Sequence, residues 1–199
     1  MQGGFVTQYM KTLESVVASC LVTDASAGKI ELDAAVRDAG QQMKAAHNAG
    51  NRIFFVGNGG SAGIASHMAT DYSKNGGMRS SAFNDGSVLT CLGNDYGYEH
   101  VFEKQLEWHA RAGDIVVAIS SSGRSKNILN AVHAGRACGC KVFTLSGFGA
   151  DNPLRQMGDL NFYLANGEYG FVEIGHLALL HSVLDMEMGL QLGGVSSAA

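Results

Sequence analysis

Proline is almost missing from this 199-residue chain: Pro153 stands alone against 27 glycines. That leaves no proline-rich linker, and so many glycines fit short turns between regular elements. Cys20, Cys91, Cys138 and Cys140 include no CxxC pair, so neither a structural zinc knuckle nor a dithiol redox motif is written here; reduced thiols with packing roles are expected. Basic residues number 14 against 18 acidic ones, a net charge of −4, and they form no run. The electrostatic footprint of a nucleic-acid binder is therefore absent. No apolar stretch approaches the roughly 20 residues that span a bilayer, and the first residues lack a charged-then-apolar leader pattern. A cytoplasmic protein with no membrane or nucleic-acid partner is the expectation, and the length suits a single domain over 1–199.

Apolar residues recur at helical spacing over 4–22 and again over 30–49, so two amphipathic helices are expected before the first strand, with Asp24 or Ser26 marking the break between them. Such a helical pair (1–50) often packs against a copy of itself. Short β-rich runs follow at Arg52–Val56, Met78–Phe83, Ile115–Ile119, Lys141–Leu145 and Asp159–Leu164. Helical patterns lie over 99–111, 126–138 and 170–190. Asn84–Ser87 reads as a turn feeding Val88–Leu92, then a polar loop, Gly93–Tyr98, with an aromatic pair. Strands alternating with helices imply right-handed crossovers and a three-layer, doubly wound parallel sheet over 51–192. The small polar tail, 193–199, reads as loose.

Two loops carry the chemistry. After the strand ending at Val56 comes Gly57-Asn58-Gly59-Gly60-Ser61, whose glycines allow close ligand approach. The helix that follows points free N–H groups at whatever lies above the sheet, an anion site in the making, with Ser61 as its expected cap. His67 and Asp71 lie four residues apart on one face of that helix, a spacing that serves a metal ion, proton transfer or simply a local ion pair. The second loop, Ser120-Ser121-Ser122-Gly123-Arg124-Ser125, places four hydroxyls between a buried strand and a helix start, a phosphate cradle at the ligand edge of an α/β sheet. Asp95, in the polar loop, is a candidate acceptor for ligand hydroxyls. Glu173, His176 and His181 share the last helix. Five residues separate the two histidines, so they point about 140° apart, and His176 is expected to be structural or at an interface.

Taken together, GNGGS (57–61), SVLTCLGNDYGYEHVFEKQ (87–105), GDIVVAISSSGRSKNIL (113–129) and EIGHLALLH (173–181) resemble the sugar isomerase (SIS) domain family, and most closely its phosphoheptose isomerase branch. The resemblance runs from about Phe5 to Leu190. It implies a five-stranded parallel core, a homotetramer, one zinc ion per subunit, and interconversion of sedoheptulose 7-phosphate with D-glycero-D-manno-heptose 7-phosphate. By matching motif, Asn58, Gly59, Gly60 and Ser61 would line the sugar, Asn94 and Asp95 would meet its hydroxyls, and Ser120, Ser121, Ser122 and Ser125 would hold its phosphate. His67, Asp71, Glu173 and His181 would be the metal set, with Asp71 and His181 catalytic and both Asp71 and Glu173 also touching substrate.

The chain departs from the family in two places. Asp71 stands where the family has a glutamate, one methylene longer, and Phe171-Val172-Glu173 replaces Arg-Ile-Gln, so a carboxylate stands for an amide ligand. Two alternatives accompany the resemblance: a non-catalytic SIS protein that binds a phosphosugar or a protein partner such as a replication initiator, and an isomerase of a different phosphosugar.

Overall fold

A computed structural model describes residues 4–191; the tail assigned to 193–199 lies outside them. Seven strands form one mixed sheet: β1 (Leu21–Asp24), β2 (Lys29–Ile30), β3 (Ile53–Gly57), β4 (Ser80–Ala82), β5 (Ile115–Ser120), β6 (Lys141–Ser146) and β7 (Leu160–Tyr163), in the order β2-β1-β7-β6-β5-β3-β4. The five strands from β7 to β4 are parallel, as expected. β1 and β2 add an antiparallel hairpin at one edge, with β1 paired to β7.

That hairpin corrects the reading of the first 50 residues as helices alone. α1 (Phe5–Ala18) ends before Leu21, and the chain turns into the sheet because the Asp24 carboxylate accepts from the backbone N–H of Ser26 at 2.8 Å and of Gly28 at 2.9 Å. Asp24 closes the hairpin rather than capping a helix; Glu31 caps α2 (Leu32–Asn48) through the N–H of Ala34. Val22, 2% exposed, hides the signal, because one buried residue in a four-residue edge strand continues a helical periodicity equally well.

Apart from the half-buried edge strand β4, the parallel strands are buried on both faces, so their side chains divide by parity. Ile53, Phe55, Ile115, Val117 and Ile119 pack beneath α2, α3 (Gly60–Lys74) and α7 (Tyr169–Glu187), whereas Phe54, Val56, Val116 and Ala118 pack against α4 (Gly86–Tyr96), α5 (Val101–His109) and α6 (Lys126–Ala137). This is the three-layer arrangement expected of a doubly wound sheet. α4 is a second correction. Asp85 caps it through the N–H of Val88 at 2.9 Å, and the helix runs through the supposed polar loop to Tyr96. All four cysteines are free, and burial pushes the Cys20 and Cys140 thiols up to about 12. No helix among the described residues is long and apolar enough to cross a membrane.

The chain leaves β3 for β4 on one side and later returns to β5 on the other. The reversal lies between neighbouring strands β3 and β5, where open α/β sheets place their ligands, at the carboxyl ends. Both sequence-marked loops leave from there.

Candidate active site

At the end of β3 the backbone does most of the building. Gly59 has a φ of 53°, and a Cβ on Gly57 would lie 2.5 Å from the carbonyl oxygen of Ser61, so α3 starts close against the strand only because side chains are absent. Gly59 is therefore the N-cap. Ser61, expected as the cap, sits inside the first turn and is 3% exposed.

At the end of β5, the Ser120 hydroxyl accepts from the N–H of Gly123 at 3.2 Å and lies 3.4 Å from the Ser125 hydroxyl. Ser125 precedes α6 and makes no side-chain cap bond, which leaves its oxygen available. Gly123 turns the loop with a φ of 61°.

These two loops face one cavity of about 300 Å³. Its walls include Asn58, Gly59, Gly60, Ser61, Ser120, Ser121, Ser122 and Ser125, every residue expected from the glycine and serine loops, together with Glu173. Tyr169 and Ile119 complete it, and neither carried a motif that would have marked it. The Ser121 hydroxyl is buried and has no hydrogen-bond partner, an expensive state for a lone polar group and one that an acceptor in the cavity would relieve. Among the described residues, no lysine or arginine lines the cavity. Arg124, the nearest cation in the loop sequence, is paired with Asp151 at 2.7 Å and holds that carboxyl below its ordinary range. An anion in this cavity would meet hydroxyls and helix N–H groups. Among the described residues the one charged member of the wall is Glu173, whose carboxylate lies over Gly60, within 2.5 Å of where a Cβ would stand.

Further along the same two helices a second group assembles. The ligand atoms of His67, Asp71 and His181 lie within 4.8 Å of one another. Nε2 of His67 is 3.1 Å from Nε2 of His181 and 3.4 Å from the Asp71 carboxylate. The register that brings them together is held by Tyr72, next to Asp71, whose buried hydroxyl donates to the carbonyl of Leu180, next to His181, at 3.0 Å. Two imidazole nitrogens and a carboxylate oxygen are the donor types zinc takes.

Glu173 is not in this set: eight residues before His181, it is displaced along α7 by roughly 12 Å, and its carboxylate belongs to the cavity. Asn94 and Asp95 are not brought in either. They are exposed on α4, where Asn94 donates to Asp95 at 2.9 Å, because the segment is helical instead of looping over the sheet. His176 is fully buried, with Nε2 3.1 Å from the Ser146 carbonyl, and burial lowers its pKa to about 4, so it serves packing.

This architecture has known counterparts. The SIS domain family matches residues 23–147. A phosphoheptose isomerase of Citrifermentans bemidjiense is 33% identical over 175 residues, covering 85% of this chain and 90% of that protein. One from Pelobacter propionicus is 36% identical over 155 residues, 75% of this chain and 82% of its own length. The solved structure of a phosphoheptose isomerase from Neisseria gonorrhoeae superposes with a TM-score of 0.79 at 29% identity, covering 92% of this chain and 97% of that one. With the same fold and most of its length in common with these proteins, the chain belongs to the SIS domain family, in the phosphoheptose isomerase branch.

Proposed function

We propose that this isomerase acts on an open-chain sugar phosphate, interconverting sedoheptulose 7-phosphate and D-glycero-D-manno-heptose 7-phosphate through an enediol. The observation that carries the reading is that one helix pair does both jobs: α3 and α7 line the hydroxyl-rich cavity at their first turns and join His67, Asp71 and His181 further on. Seven residues separate Gly60 from His67, roughly 10 Å of helix, a span comparable with an extended seven-carbon chain. Phosphate at Ser120–Ser125 then leaves the carbonyl end of the sugar to approach His181.

The residues there supply the proton chemistry. Moving a carbonyl between C1 and C2 takes a proton from one carbon, returns it to the other, and shifts a proton between the two oxygens. Asp71 takes one of these transfers and His181 the other, a histidine being suited because its ordinary pKa lies near neutrality. The phosphate grip contributes binding energy remote from the reacting carbons. His67, Asp71 and His181 would hold one zinc ion per subunit, and when bound it would supply Lewis-acid polarisation of the substrate oxygens. In this reading Glu173 faces the sugar rather than the ion.

Self-association into a tetramer is part of the proposal. No residue of α1 is buried, and Phe5, Val6 and Met10 are 83%, 71% and 59% exposed, an apolar face suited to a second copy. The enzyme is read as cytoplasmic. An isomerase of a different phosphosugar stays in view for one reason, the carboxylate of Glu173 in a cavity without a cation.

The test combines metal analysis with turnover of heptose 7-phosphates and a panel of other phosphosugars. The reading expects turnover that chelation removes and zinc restores. A metal-free protein that binds phosphosugars but never isomerises them would favour the partner-binding alternative.

A further inference from the structure

Asn58 stands in the turn between β3 and α3 and lines the cavity. A carboxamide offers two acceptor lone pairs and two N–H donors. Here Oδ1 accepts from Nδ2 of Asn127 at 2.8 Å and from the hydroxyl of Tyr98 at 3.0 Å, which uses both lone pairs. Nδ2 donates to Oδ1 of Asn127 at 2.9 Å, which uses one N–H. A single N–H remains for the cavity.

The two partners are held independently. Asn127 is 3% exposed in the first turn of α6, so the reciprocal amide pair ties the β3 turn to the helix behind the serine loop. Tyr98 arrives from the other direction. Gly97, with a φ of 92°, ends α4 and turns the chain into a short 3-10 segment, Tyr98–His100, which Asn130 of α6 anchors by donating to the Glu99 carbonyl at 2.9 Å. Tyr98 is 59% exposed. Its contribution to burial is small, and its one specific polar contact with the site is the hydroxyl on Asn58.

We infer that Tyr98 is a positioning residue which, together with Asn127, fixes Asn58 as a donor-only group, so that the cavity reads an oxygen lone pair of the sugar phosphate at that place. The inference rests on the isomerase reading for its substrate class. Without the Tyr98 hydroxyl, one lone pair of Asn58 is free. The amide can then also accept from a sugar hydroxyl, and the preference for an acceptor oxygen weakens.

The experiment measures sedoheptulose 7-phosphate binding by calorimetry, and turnover, in the full chain, in Tyr98→Phe, in Asn58→Ala and in the double variant. The expected result is a roughly three- to tenfold weaker affinity in Tyr98→Phe, because the Asn58 amide is no longer held as a donor and its hydrogen bond to the ligand weakens. KM should rise by more than kcat falls, melting should not change, and the substitution should have no further effect in the Asn58→Ala background. An unchanged affinity, or an equal loss when Asn58 is already alanine, overturns the role. Binding that depends on Tyr98 through Asn58 in a protein without turnover would sink the isomerase reading and keep this one. As a ligand-free check, the side-chain amide proton signals of Asn58 should shift in Tyr98→Phe; signals that stay in place also overturn it.

Discussion

α3 and α7 carry two different kinds of site along their length. Where their first turns meet the serine loop before α6, the cavity is made chiefly by backbone turns, Gly59 and Gly123 at positive φ, and by hydroxyls on short side chains. Further along, His67, Asp71 and His181 project from ordinary helical backbone and meet only because Tyr72 and Leu180 set the register. A backbone-built site allows few substitutions, because each changes the path of the chain. A site built by side-chain reach can change by a methylene while the helices remain as they are.

The largest effect that separates the two regions is expected at His181. His181→Ala should lower turnover by about 10²–10⁴-fold, the range for a lost acid–base group. Zinc content should fall with it, while phosphosugar affinity changes little. A variant that turns over normally would remove His181 from the chemistry, and one that loses phosphosugar binding would show that the two regions are not separable.

Next in size is the contrast between the two histidines of α7. Because burial depresses the pKa of His176 from 6.5 to about 4, the unfolded chain takes up a proton below pH 6.5 that the folded protein refuses until about pH 4. Stability is therefore fully present above pH 6.5 and falls as the pH drops through that window. The loss is about 3 kcal/mol in all. Urea midpoints followed from pH 7 to pH 4 should show this slope, and His176→Gln should flatten it; an identical slope in the variant would assign the effect elsewhere.

Gly123→Ala tests the backbone-built region. A Cβ there meets Oδ1 of Asn152 at 2.0 Å in a left-handed conformation, and Asn152 holds the next loop through the carbonyls of Gly147 and Gly149 at 3.1 and 2.9 Å. A cost of about 1–3 kcal/mol is expected. Weakened phosphosugar binding should accompany it, with zinc stoichiometry intact. Equal stability and affinity would mean that the loop is not set by that turn.

The smallest change is Ser121→Ala. Removing a buried hydroxyl that has no partner should leave the melting temperature level or slightly raised. Phosphosugar affinity should fall by about 1 kcal/mol, near fivefold, for one lost hydrogen bond. A clear drop in melting temperature with affinity unchanged would make Ser121 structural.

The two regions also differ in how far they could be read from residues alone. The cavity was legible because its loops are continuous in sequence: five residues from the end of β3 and six from the end of β5 bring nearly the whole wall with them. Tyr98 was visible only as half of an aromatic pair. Its hydroxyl on Asn58 spans 40 positions and has no local pattern. Asn94 and Asp95 misled because glycine and asparagine signal a turn, yet the cap at Asp85 and the burial of Leu92 carry α4 through them. Glu173 misled in another way: a motif match fixes its place on α7 but not which neighbour its carboxylate reaches.

What the residues alone determined is what local physics sets. Buried runs of β-formers became parallel strands, glycine and serine loops became helix starts at the ligand edge, and His67 and Asp71 share a face because the helix repeats every 3.6 residues. Only the tertiary structure decided that Leu21–Asp24 leaves the helical pattern to pair with β7, that His181 rather than Glu173 joins His67 and Asp71, and that Ser121, in the cavity wall, keeps an unpaired hydroxyl. Those outcomes depend on packing between segments far apart in the chain, where a few ångströms of helix register select one carboxylate over another.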